Sequence, residues 1–368
     1  MFIPVNEPKL DGNELKYVTD CITTGWISSE GPYVKKFEDA FATTVDRQHA
    51  IAVANGSVAL DAAIVALGIG AGDEVIMPTF TIISCAAAIV RAGAKPVLVD
   101  ADAETFNMDV SQIEAKITAK TKAIMVVHIY GLPVDMDEVM TLAKKYNLRV
   151  IEDAAEVHGQ TYKGKPCGSF GDISTFSFYP NKHITTGEGG MIVCNDDDLA
   201  EKCKSLRNLC FQPQRRFFHE ELGWNFRLTN VQAAIGLAQL EQLDAHIKLK
   251  RVIGNYYNEH FEGTKGIQLP LKHNEAAENI YWVYTIVLQN GQDAETVMSA
   301  LNKKQIGTRP FFLGMHAQPV FQKMGLFKNE QYPVADFISK YGFYIPSGLS
   351  LKKNQQFVVV EALIKSLK

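Results

Sequence analysis

From about residue 50 the chain alternates short apolar runs with amphipathic stretches. A-I-A-V-A (50–54) closes in Asn55-Gly56-Ser57 and passes into V-A-L-D-A-A-I-V-A-L, whose apolar spacing is helical. D-E-V-I-M-P (73–78) reads as the next strand and residues 82–91 as a short helix. K-P-V-L-V-D (95–100), K-A-I-M-V-V-H-I-Y (122–130) and L-R-V-I-E-D (148–153) are apolar runs of the kind buried on both faces, with helical patterns from Val110 and Met136 between them. D-I-S-T-F-S-F (172–178) and G-M-I-V-C-N-D (190–196) add two further strands. Such alternation predicts an α/β fold, a mostly parallel sheet with helices on both faces, whose ligands collect at the carboxyl ends of the strands. Asn55-Gly56-Ser57 and Asp153 would lie at that edge. Beyond Asn230 the texture changes to one long helical pattern, with no proline from 231 to 260. A strand at 281–288 and helices near 294–303 and 354–367 then predict a smaller α+β unit.

At 368 residues and 46% hydrophobic content the chain has core enough for a large domain and a smaller one. A net charge of −4, with neither sign gathered into long blocks, gives no electrostatic case for a nucleic acid or a membrane surface, so a small molecule is the expected ligand. No apolar stretch reaches the ~18 residues of a membrane span. The six cysteines form no C-x-x-C pair and no disulfide framework, which fits reduced thiols and a cytoplasmic location. The start, M-F-I-P-V-N-E-P, lacks the basic and apolar regions of a signal peptide. Cys194, Cys203 and Cys210 have no metal-site spacing, and no metal is expected.

The chemistry centres on S-F-Y-P-N-K-H-I-T-T-G-E-G-G-M (177–191). A lysine is ordinarily a solvated surface charge, but G-E-G-G (187–190) lets the backbone approach a ligand closely. Asp153 ends an otherwise buried strand, where a carboxylate requires a cationic partner; capping a following helix over A-A-E-V-H-G is the alternative. A protonated pyridine nitrogen is such a partner, as in pyridoxal 5'-phosphate. Asn55-Gly56-Ser57, between strand and helix, would offer N–H groups and a hydroxyl to a phosphate, and Ser177 another hydroxyl.

Three segments, E-D-A-A-E-V-H-G (152–159), G-D-I-S-T-F-S-F-Y-P-N-K-H-I-T-T-G-E-G-G-M (171–191) and G-W-N-F-R-L-T-N-V-Q-A-A-I-G-L-A-Q-L (223–240), resemble the DegT/DnrJ/EryC1/StrS family of sugar aminotransferases dependent on pyridoxal phosphate. G-W-I-S-S-E-G-P-Y-V-K-K-F-E (25–38) and A-N-G-S-V-A-L extend the likeness over nearly the whole chain. The resemblance implies the aspartate-aminotransferase fold (fold type I). Residues 1–240 would form the large cofactor-binding domain with its N-terminal segment, and 241–368 the small C-terminal domain. It implies a homodimer with active sites shared between subunits. Lys182 would be the Schiff-base lysine and the group that moves the proton; Asp153 would pair with the ring nitrogen and Glu156 sit near the ring hydroxyl. Gly56, Ser57 and Ser177 would hold the phosphate, and Asn225 would reach the phosphate of the neighbouring subunit's cofactor. Ile82 stands where many members stack an aromatic ring on the cofactor, a loss of roughly 1 kcal/mol of stacking.

The implied donor is L-glutamate, the implied acceptor a nucleotide-linked keto sugar, and the cofactor would pass through its pyridoxamine form (PMP). Arg215 and His219, with T-R-P-F-F-L-G-M-H (308–316), resemble segments of enzymes that aminate C4 of GDP-4-keto-6-deoxymannose for O-antigen lipopolysaccharide. Arg215 and Arg309 are thus candidates for the pyrophosphate, whose oxygens suit the planar guanidinium fork, and His219 and His316 for the sugar. Surface ion pairs and packing roles are their ordinary alternatives. UDP- or dTDP-linked sugars remain open. A 3-dehydratase carries histidine at the Schiff-base position, which is lysine here, and a non-catalytic regulator would not need Lys182, Asp153 and Ser177 intact. Trp26, Trp224 and Trp282 read as core or interface aromatics, and His128 and His158 as histidines near strand ends in which a structural hydrogen bond competes with catalysis.

Overall fold

The computed structural model describes residues 2–212, 214–215 and 217–367. Helices α1 (Glu14–Thr24) and α2 (Pro32–Thr44) precede β1 (His49–Val53), α3 (Gly56–Ala66), β2 (Glu74–Pro78), α4 (Ile83–Arg91) and β3 (Lys95–Val99). The alternation continues through β4 (Thr121–Val127), α5 (Met136–Tyr146) and β5 (Arg149–Asp153). A small hairpin, β6 (Thr161–Tyr162) with β7 (Lys165–Pro166), separates these from β8 (Ile173–Ser177), β9 (Gly190–Cys194) and α6 (Asp197–Arg207). Seven strands make one sheet in the order β1-β9-β8-β5-β4-β2-β3. Only β9 runs against its neighbours; the pairs β8–β5, β5–β4, β4–β2 and β2–β3 are parallel. The expected α/β class is the one observed. The central strands are apolar because both faces are covered: Ile51, Met77, Met125 and Ile151 pack into one core, and Ala52, Ile76, Ile124 and Val150 into the other.

Helices α7 (Asn230–Leu240) and α8 (Leu243–Phe261) lead into a second, antiparallel sheet, β10-β11-β13-β12. It is built from β10 (Ile267–Gln268), β11 (Tyr284–Leu288), β12 (Arg309–Pro310) and β13 (Gly342–Ile345). Helices α9 (Ala294–Lys303), α10 (Pro319–Lys323), α11 (Pro333–Tyr341) and α12 (Lys353–Ser366) complete this α+β part. Its own core joins Tyr257 and Phe261 to Tyr284, Ile286, Phe343 and Leu363. The chain's first residues pack here too: Ile3 exchanges backbone bonds with Gln305 and Gly307, each 2.8 Å, and Asn6 Nδ2 donates to Pro180 O at 3.0 Å.

Two local expectations and one alternative fail. The unbroken helical pattern after Asn230 is two helices, because Glu241 is drawn away by the Asn13 and Tyr17 side chains of the α1 region, both at 2.7 Å. Tertiary contact overrides propensity there. The helix expected from Val110 is two short 3-10 turns, since Asp109 accepts from Ser111 Oγ at 2.6 Å and Gln112 Nε2 at 2.8 Å in place of the helical ladder. No helix follows Asp153; its Oδ1 instead accepts the Ala155 N–H at 3.0 Å and closes a turn. Among the described residues, no helix is long and apolar enough to cross a membrane.

Candidate active site

The end of β5 carries two neighbouring acids, and strand alternation sends them to opposite faces of the sheet. Both are fully buried, yet their protonation is driven in opposite directions. Burial disfavours ionised Glu152, but His128 Nε2 (3.0 Å), the N–H groups of Gly168, Phe170 (3.0 Å) and Gly171 (3.2 Å) and the Ser174 hydroxyl (3.1 Å) converge on it and hold its carboxyl down at about 2. His128 takes the Val134 N–H on Nδ1 at 3.0 Å, so its own proton lies on Nε2, toward Glu152. Among the described residues, Asp153 is bonded by the Ala155 N–H and the Cys85 thiol, whose Sγ is 3.3 Å from Oδ2. Burial therefore pushes the Asp153 carboxyl up, against those bonds and the charge of Lys182. Glu152 is a satisfied structural anion; among the described residues no cationic side chain forms an ion pair with Asp153, though the charge of Lys182 acts on it.

After β8 the chain turns: the Lys182 N–H donates to Tyr179 O at 2.9 Å, and Thr186 N and Gly189 O close on Phe178. The Lys182 side chain is 9% exposed, with Nζ 4.0 Å from Glu156 Oε1 and 3.8 Å from the centre of the Trp282 ring. Burial pushes this amine below the usual lysine range, opposed by Glu156, Asp153 and Cys85. Glu156 is pushed up by burial, opposed by Lys182 and by the Tyr130 N–H, which donates to Oε2 at 2.9 Å. His158, buried against Phe176 and Phe178, is driven down to about 3 by burial and by Lys182, so its ring stays neutral and is a poor proton carrier.

The third part of the site is the start of α3. Asn55 Oδ1 caps the Val58 N–H at 3.0 Å, while the N–H groups of Gly56 and Ser57 have no acceptor within the helix. Ser57 Oγ lies 2.7 Å from Ser84 Oγ in the first turn of α4. Packing is close: a Cβ on Gly56 would stand 2.7 Å from Ser177 Cβ, and one on Gly190 2.6 Å from the Asn55 carbonyl. Gly56, Ser57, Ser84 and Ser177 thus converge at a helix N-terminus. Ile82 stands just before α4, 42% exposed.

The remaining sequence candidates are more scattered. Asn225 is exposed and accepts from Arg227 Nε at 2.9 Å, while the next residue, Phe226, bonds the Ala54 N–H at the end of β1. Arg215 is exposed with its guanidinium 4.5 Å over the Phe218 ring, and His219 Nδ1 pairs with Leu209 O at 2.8 Å. Arg309 is exposed and opposite Tyr344 in the β12–β13 register. Tyr344 is pushed up to about 12 by burial and by the charge of Glu156, opposed by Arg309. His316 is buried with both ring nitrogens engaged, by Thr79 Oγ1 at 2.8 Å and Asp336 Oδ1 at 2.9 Å. Cys85, Ser84 and Tyr344 carried no signal along the chain, because each meets the site only through tertiary contact.

The residues from 8 to 364 match the model of the DegT/DnrJ/EryC1/StrS aminotransferase family. The chain belongs to that family. A GDP-perosamine synthase of Escherichia coli O157:H7 is 45% identical over 362 residues, 98% of each chain, and one from Caulobacter vibrioides is 44% identical over 98% of this chain and 97% of its own. Among solved structures, Spr1654 of Streptococcus pneumoniae in its PMP form superposes with a TM-score of 0.92 at 25% identity, covering all of this chain and 98% of its own. This family member is a pyridoxal-phosphate-dependent aminotransferase with the fold of the sugar aminotransferases. Its donor set suits the cofactor: a helix N-terminus ringed by hydroxyls for a phosphate dianion, a buried carboxylate lacking a cation, and a desolvated amine beside it.

Proposed function

We propose that the enzyme transfers the amino group of L-glutamate to the C4 ketone of GDP-4-keto-6-deoxymannose, as a GDP-perosamine synthase would, in the making of a surface glycan such as O-antigen. The observation that carries transamination is the buried Lys182 amine beside Glu156 and Asp153. The nucleotide sugar follows from the 45% and 44% identity to two GDP-perosamine synthases over nearly full length.

Pyridoxal phosphate, when bound, supplies a carbonyl that carries the amino group and an electron-poor ring that eases proton loss from carbon. Gly56, Ser57, Ser84 and Ser177 would hold its phosphate, and Ile82 would pack on the ring. Asp153 Oδ2 would keep the ring nitrogen protonated, and in doing so gain the cation its burial demands. Glu156, inclined to stay protonated, would donate toward the ring hydroxyl. Lys182 Nζ, once free, would take a proton from the donor carbon and return it on the acceptor side; lowering an amine below its usual range eases both. Arg309 would bind the pyrophosphate, with Arg215 and His219 as further candidates for the nucleotide sugar. Trp26 and Ile27, both 53% exposed, and the exposed Asn225 support a homodimer whose subunits share sites. A cytoplasmic location completes the proposal.

The test is to incubate the holoenzyme with glutamate and a panel of GDP-, UDP- and dTDP-linked keto sugars and to follow 2-oxoglutarate. Turnover confined to GDP-4-keto-6-deoxymannose is expected. Amination of a UDP- or dTDP-linked sugar in its place overturns the substrate, and cofactor that glutamate leaves unchanged overturns the donor.

A further inference from the structure

Trp282 is not simply a core aromatic. Its ring lies under Lys182, with the ammonium nitrogen 3.8 Å from the ring centre, and its Nε1–H donates to Asn181 O, the carbonyl just before Lys182, at 2.8 Å. The same residue is held from behind. Lys250, buried on α8, donates from Nζ to Trp282 O at 2.8 Å and to Ser347 O at 2.6 Å. Among the described residues no carboxylate bonds Lys250 Nζ; burial lowers it to about 7, and a neutral amine has the two N–H bonds that two carbonyls require. Asn6, bonded to Pro180 O, pins the same loop one residue further back.

We propose that Trp282, fixed by Lys250, is a positioning residue for the reacting amine: its π-face is the seat on which the Lys182 ammonium rests between proton transfers, and its indole N–H sets the loop that presents Lys182. The physical reason is that the site otherwise disfavours a charged Lys182. Burial lowers it, and the nearby rings of His158 and His183, themselves kept neutral by burial, offer it no compensating charge. Glu156, Asp153 and Cys85 oppose that trend, yet Asp153 would be committed to the cofactor's ring nitrogen. An aromatic face stabilises the ammonium without adding a second base that would compete for the proton. This inference rests on the reading of Lys182 as the reacting amine.

The test uses Trp282→Leu, Trp282→Phe and Lys250→Met in the full-length chain. The rate of acylation of Lys182 against pH, quantified on its peptide, gives the amine's apparent pKa with and without pyridoxamine phosphate. Trp282→Leu should lower that pKa by about one unit, a tenfold change, since the π-face is lost. Trp282→Phe should keep it within about half a unit, because a face remains. Lys250→Met should move it in the same direction as Leu, and all three should lower kcat more than they raise the glutamate KM. A Lys182 pKa unchanged in Trp282→Leu overturns the inference. Should that variant not fold, Lys250→Met decides instead, and an unchanged pKa there overturns it equally. A wild-type enzyme whose cofactor glutamate does not convert refutes the underlying reading; an active wild type with unmoved variant pKa values refutes only the role of Trp282.

Discussion

Glu152 and Asp153 differ by one position and by one missing partner set, and Glu152→Gln tests whether hydrogen bonding decides that difference. The carboxylate collects donors from His128, three backbone N–H groups and Ser174. Its carboxyl at about 2, against 4.5 when unfolded, is roughly 2.5 units, or about 3 kcal/mol of stability at neutral pH. The folded value is the depressed one, so this stability is present above pH 4.5 and lost as pH falls through 2. About 2 kcal/mol of it should vanish between pH 7 and pH 3. The introduced amide would also aim its N–H₂ at groups that are themselves donors, so at pH 7 the variant should lose about 3–5 kcal/mol. Denaturant unfolding of both proteins at the two pH values is the assay, with the gap between them expected to narrow by about 2 kcal/mol at pH 3. A gap independent of pH would show that Glu152 is not held as an anion.

Cys85→Ala removes a donor from Asp153 Oδ2, leaving the carboxylate harder to ionise, and should weaken pyridoxal phosphate binding about threefold to tenfold, with Cys85→Ser restoring it; fluorescence titration reads the affinity. Gly56→Ala drives a Cβ against Ser177, so it should destabilise the protein by about 1–3 kcal/mol and loosen the cofactor, as thermal melts with and without it would show. Arg309→Ala should raise the nucleotide-sugar KM about tenfold while the glutamate half-reaction is kept; an unchanged KM removes Arg309 from the sugar site.

The sheet was legible because its strands are buried on both faces and announce themselves as continuous apolar runs, as in V-I-M-P and I-M-V-V. Lys182, Asp153 and Ser57 were legible because each ends or follows such a run, at the sheet edge where ligands gather. What the pattern did not carry is tertiary. Cys85 meets Asp153 although 68 residues separate them, and Lys250 reaches Trp282 across 32. The break between α7 and α8 escaped for the same reason, since Glu241 turns toward Asn13 and Tyr17, which lie over two hundred residues away in sequence. His316 shows the converse: the resemblance of its segment suggested a sugar contact, while Thr79 and Asp336 occupy both ring nitrogens.

The most direct test of the account is to reduce the holoenzyme with borohydride and map the modified peptide. A pyridoxyl group is expected on Lys182, in the peptide containing Y-P-N-K-H-I-T, with Lys250 unmodified despite its own lowered pKa. A label on Lys250 or any other lysine, or none on protein shown to hold the cofactor, contradicts it.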